Sequence, residues 1–124
     1  MKIEQGWKVC QKVRWLGRTA YRSLLVEEKD GGVWYNTTAW TKPKADCGPL
    51  CVFESAETAR AFVYIEAKNI NSNFAILQCE YLPEIKIKVI WKGGDNRGLL
   101  AVFPTGTRLA SAVRLLEGEK NETT

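Results

Sequence analysis

No histidine occurs in the 124 residues. Its absence removes Ser-His and Cys-His nucleophilic pairs and every histidine-ligated metal site. Carboxylate, Lys, Tyr and Cys chemistry stays open, but no spacing proposes an acid–base couple, and the reading leans away from an enzyme. No run of about 18 apolar residues is present, so no membrane span is expected. The opening Met1-Lys2-Ile3-Glu4-Gln5-Gly6 lacks the apolar segment of a signal peptide. The expected setting is cytoplasmic and reducing, and the sequons at Asn36 and Asn121 read as chance. Of the four cysteines, at 10, 47, 51 and 79, only Cys47 and Cys51 stand close together, whereas a zinc knuckle prefers two such pairs. They read as free thiols acting as small apolar side chains. Neither a metal nor another cofactor is expected.

Five tryptophans are many for this length; indoles fill cores and also build stacking floors for bases and sugars. Eighteen Lys and Arg against fourteen Asp and Glu leave a net charge of +4. That excess suits a phosphate-bearing partner without demanding one, and no dense basic stripe of the duplex-binding kind stands out. The length fits a single domain over residues 1–124, with 118–124 a frayed tail.

The centre of the chain is WTKPKADCGPLCVFESAETARAF, residues 40 to 62. An aromatic and basic loop leads through a Cys-flanked turn to a short apolar strand, Leu50 to Phe53. A helix follows, capped by Ser55 and running to about Asn69, with Ala59 and Phe62 on its apolar side. Before it, alternation predicts strands over Trp7–Val13 and Tyr21–Glu27, turned at Gly17, and a short one over Val33–Tyr35 after the Lys29–Gly32 turn. After it, strands are predicted over Phe74–Tyr81, Ile85–Trp91 and Leu99–Phe103. The segment from Thr107 to Gly118 fits a second helix or a strand, with propensity slightly on the helical side. The expected fold is α+β: an antiparallel sheet of about five to six strands with one central helix packed on it and a possible second, C-terminal helix.

Three polar loops are candidate ligand sites. The Gly-rich GGDNRG offers backbone N–H groups, the Asn96 amide and the Arg97 guanidinium, an arrangement that can cradle an anion. It is neither a P-loop nor a GxGxxG fingerprint. The segment Phe103-Pro104-Thr105-Gly106-Thr107-Arg108 sets an aromatic, two hydroxyls and a guanidinium together. Trp40 with Lys42 suits stacking plus charge neutralisation, and Arg114 can join any of these if the tail lies nearby. Each loop also has a plain reading as a turn or a sheet-edge plug. The candidate ligand residues are thus Trp40, Lys42, Asn96, Arg97, Phe103, Thr107, Arg108 and Arg114.

On WTKPKADCGPLCVFESAETARAF and FPTGTRLASAVRLLE the chain resembles small proteins of phages and prophages, and within them the first described Thoeris anti-defence family of signal-molecule sponges. The resemblance covers about half of the chain and carries over no site residue. It implies a compact α+β homo-oligomer, a dimer or higher, that sequesters a cyclic ADP-ribose-type signal or a cyclic oligonucleotide in the host cytoplasm without cleaving it. The expected partner is a small phosphorylated nucleotide-type ligand. A single-stranded nucleic-acid module is the runner-up; a protein inhibitor and a carboxylate or Cys enzyme are the other readings.

Overall fold

The computed structural model describes residues 2–24, 32–37, 39–44, 49–66, 73–85, 89–91, 97–99 and 105–116. Alternating apolar residues, polar turns and one helical stretch give eight strands and one helix among the described residues. In order they are β1 (Glu4–Trp15), β2 (Arg18–Ser23), β3 (Trp34–Tyr35), β4 (Leu50–Phe53), α1 (Ala56–Glu66), β5 (Phe74–Pro83), β6 (Val89–Trp91), β7 (Arg97–Leu99) and β8 (Thr107–Leu115). Six of the strands form one antiparallel sheet, and β6 pairs with β7 in a separate ribbon.

The sheet closes on itself. Strand β1 pairs along Glu4–Gln11 with β5 on one edge; on the other it meets β4 at Trp7↔Phe53 and then β2 along Cys10–Trp15. Strand β8 in turn joins β4 and β5, so β1, β4, β8 and β5 make a small four-stranded barrel. Strands β2 and β3 extend it. Beyond β3, Thr41 and Val113 exchange backbone hydrogen bonds of 2.8 and 2.9 Å, and the Leu115 N–H donates to the Asn36 carbonyl at 3.0 Å. The β3 side is thereby tied to β8 as well. Closure of this kind pairs backbone groups that an open sheet would leave at its edges.

Alternation then sorts side chains between two environments. Cys10, Tyr21, Tyr35, Val52, Leu77, Cys79, Val113 and Leu115 point inward and fill the interior. Val9, Phe53 and Leu109 point outward, and α1 covers them with Ala59 and Phe62. The Phe53 and Phe62 rings meet at 4.9 Å and 44°. Ser55 caps α1, its Oγ accepting from the Thr58 N–H at 3.1 Å, and Glu57 lies in the first turn. The tight β1–β2 turn rests on Leu16 and Gly17, with φ of 51° and 79°.

The α+β expectation holds, with three differences. The sheet is a closed barrel rather than an open layer. Residues 107–115 are strand β8, not a second helix, because Ala110, Val113 and Leu115 fill the interior while β4 and β5 take up the backbone groups. And β2 spans Arg18–Ser23 rather than Tyr21–Glu27, the hairpin turning at Leu16–Gly17. The Lys29–Gly31 part of the predicted turn, the helix stop at Asn69, residues 86–88, the greater part of the strand predicted over Leu99–Phe103 and the tail from 117 lie outside the described residues. No helix among the described residues is long and apolar enough to cross a membrane.

Gly6 lets β1 pass close to β4: a Cβ there would stand 2.8 Å from the Phe53 carbonyl oxygen and 3.0 Å from the Tyr81 ring. Gly6→Ala is therefore expected to cost about 1–3 kcal/mol through overpacking. Ser55→Ala is expected to cost about 1 kcal/mol through loss of the cap. Urea unfolding of both variants checks the amounts.

Candidate functional site

The sequence candidates do not converge. Asn96 and Phe103 lie outside the described residues, and Arg97 is placed by its backbone alone, opposite Trp91 in the β6–β7 ribbon. The other five fall into two groups and one isolated residue. Arg108 pairs with Val52 in the β4–β8 register, and Val52 faces the interior, so Arg108 stands at the inner mouth of the barrel. Arg114 alternates with the inward Val113 and Leu115 and therefore faces outward. Six positions of strand, about 20 Å of backbone, and the barrel wall separate the two arginines. A mononucleotide cannot bridge that. Lys42 is exposed.

At the mouth, Thr107, Arg108 and Leu109 line a half-open cleft of about 250 Å³ with Glu4, Tyr81, Pro83, Glu84 and Ile85. Arg108 donates to Glu54 at 2.7 Å and to the Thr107 carbonyl at 3.3 Å. Thr107 is buried. The Tyr81 hydroxyl donates to Glu4 at 3.3 Å, and burial, then the Glu4 charge, raises the phenol pKa. Two carboxylates in the lining and a third on Arg108 make this cleft a poor receptor for a phosphate. On the outer wall, Arg114 lies 4.7 Å from the Trp40 ring centroid and is held by Glu80 at 2.5 Å. Trp40 and Arg114 are thus brought together, as a stack whose charge is already balanced.

A different set of residues keeps its charge. Gln11 pairs with Phe74 on one side and Arg22 on the other, and Arg22 pairs with Trp34. Their chain neighbours Cys10, Ala75, Tyr21 and Tyr35 all point inward, so these four point outward in one row across β5, β1, β2 and β3. The Arg22 Nε donates to the Gln11 Oε1 at 2.5 Å, and its guanidinium carbon stands 5.5 Å from the Trp34 ring centroid. Phe74 and Trp34 are 42% and 38% exposed, large values for aromatics on a sheet. No carboxylate holds Arg22 among the described residues, unlike Arg108 and Arg114. Sequence reasoning missed this row. Trp34 and Phe74 were visible as strand residues, but nothing in the sequence gives the cross-strand register that lines them up.

The interior holds an unexpected cation. Lys8 is only 7% exposed, its Nζ donates to the Cys51 carbonyl at 2.6 Å, and it lies 5.0 Å from the Tyr35 ring centroid. Burial, the largest influence, opposes its charge; the Tyr35 oxygen and then the Cys51 and Cys10 sulfurs outweigh it and hold the ammonium above its ordinary pKa. Burial raises the thiols too, Cys10 and Cys79 to about 12 and Cys51 to about 11. Protonated thiols are weak nucleophiles. The three described cysteines are free, Cys10 and Cys79 fully buried and Cys51 partly, while Cys47 lies outside the described residues. No group of three His, Cys, Asp or Glu side chains is placed to hold a metal among the described residues.

No family model matches the chain, and neither the curated proteins nor the solved structures yield a match.

Each of the three thiols has a folded pKa above its ordinary 9.0, so it favours the folded state fully below pH 9. That contribution drains away as pH rises toward 11 to 12, because the unfolded chain ionises first. Lys8, also raised, acts in the same direction above 10.5. Urea midpoints in a reducing buffer should stay flat from pH 7 to 9 and fall steeply beyond. A Cys10→Ala, Cys79→Ala double variant should show a shallower fall.

Proposed function

We propose that the protein is a non-catalytic binder that takes up a nucleotide-derived ligand on its outer wall and releases it intact, the sequestering role that the likeness to phage anti-defence sponges implies. The observation that carries the reading is Arg22, a guanidinium set against an exposed indole and, among the described residues, held by no carboxylate. A base can stack on the free area of Trp34 while a phosphate takes the outward donors of Arg22, and Gln11 holds the guanidinium plane in place. Trp40 and Arg114 repeat the same pairing on the outer wall at β8, with Glu80 damping its charge. The row holds no acid–base pair: one amide, one guanidinium and two aromatic rings bind and do not transform.

Host-cytoplasmic sequestration of a cyclic ADP-ribose-type or cyclic-oligonucleotide signal by a homo-oligomer is the form that the likeness implies. Calorimetry with AMP, cyclic ADP-ribose and a cyclic dinucleotide should detect binding of at least one of them. Heating the complex should return the compound at unchanged mass, and recovery of a cleaved product would overturn the non-catalytic reading. Arg22→Ala should weaken the interaction by about 2 kcal/mol, the worth of a hydrogen bond to a charged group. Unaltered affinity in Arg22→Ala and Trp34→Ala would remove the row from the site.

A further inference from the structure

The outward row is longer than a single nucleotide needs. From Phe74 to Trp34 it crosses three inter-strand steps, about 14 Å at the usual spacing of neighbouring strands. One base covers one ring. The two exposed rings, with a guanidinium between them, match a ligand in which several bases and phosphates are linked in series.

Charge distribution points the same way. Between Gln5 and Val26 the sequence holds Lys8, Lys12, Arg14, Arg18 and Arg22 and no Asp or Glu. Lys8 is consumed inside the barrel, and Lys12 and Arg14 share its parity on β1, which leaves Arg18 and Arg22 as the cations of this hairpin on the outward face. Those two guanidiniums lie in a stretch, Gln5 to Val26, that holds no acid to offset them. Along β2, Arg18 shares the parity of Arg22 and is exposed, placing a second guanidinium about 14 Å away on the same face. The wall therefore combines aromatic rings in one direction with cations in the other.

We infer that this wall binds single-stranded nucleic acid, laid across β5, β1, β2 and β3 with bases on Trp34 and Phe74 and backbone phosphates on Arg22 and Arg18. The inference rests on the nucleotide-binding reading above and names its ligand class. Duplex does not fit the same contacts, since its bases are already stacked on each other and cannot lie on the rings. Sequence preference should be weak, because every base has a face to stack and the row offers a single amide for hydrogen bonding.

Fluorescence anisotropy with a labelled eight-nucleotide oligothymidylate at two salt concentrations tests this, with thymidine monophosphate, a cyclic dinucleotide and an eight-base-pair duplex as unlabelled competitors. The oligonucleotide is expected to bind at least tenfold more tightly than any competitor. Phe74→Ala should weaken the oligonucleotide about tenfold and leave the monophosphate unchanged. Arg22→Gln should lower the slope of log affinity against log salt by about one. Both side chains stand on the outer wall, and circular dichroism melts check that each variant is folded. If the monophosphate or the cyclic dinucleotide competes as well as the oligonucleotide and Phe74→Ala changes nothing, the strand inference fails while the nucleotide reading stands. If the duplex competes equally, the inference fails as well. If no nucleotide of any kind binds, both fall together.

Discussion

A strand that is hydrogen-bonded on both edges and closed into a small barrel has to send alternate side chains into two unlike environments, and β1 does so along its length. Gly6, Lys8 and Cys10 go inward; Trp7, Val9 and Gln11 go outward. A slip of one residue against β5 would bury Gln11 and expose Cys10, so the register is strongly set. The helix cover, the outward row and the buried ammonium are all consequences of that one register. Val9 gives α1 its docking surface, Gln11 anchors Arg22, and Lys8 has nowhere to go but the interior.

Lys8 is the costly member of this arrangement. Taking an ammonium out of water is unfavourable by several kcal/mol before partners are counted, and its return comes from the Cys51 carbonyl, the Tyr35 phenol and the Cys51 and Cys10 sulfurs. An apolar side chain of similar length would fill the same volume. What the charge supplies instead is direction: it ties β1 to the Cys51 carbonyl of β4 at the place where the two strands are joined by a single residue pair. The barrel is at its thinnest there, and the ammonium spans it.

Local chemistry was legible in the sequence. Ser55 announced the helix start, Leu50–Phe53 announced β4, and the alternation of Phe74–Tyr81 announced β5. What stayed hidden depends on distant pairing. Thr107–Gly118 fits a helix or a strand on sequence alone, and the pairing of Thr107–Leu115 with β4 and β5 decides for the strand. The same holds for the site. The loops rich in Gly, Arg and Trp hold the cations most evident in the sequence, yet Arg108 and Arg114 are occupied by Glu54 and Glu80. Phe74, Gln11, Arg22 and Trp34 are scattered over 64 positions of chain and meet only because four strands carry them into one line.

The ring of β1, β4, β8 and β5 also bears on how the molecule is made. The first half of β1, Glu4–Gln11, finds its long partner only in β5, and β4 has to wait for β8, the last strand of the sheet. A nascent chain leaving the ribosome thus carries two unmated edges until residue 115 or so has emerged. Topologies dominated by such distant pairings fold slowly. During that interval the N-terminal hairpin, already rich in positive charge and poor in acids, resists sticking to its own copies by electrostatic repulsion.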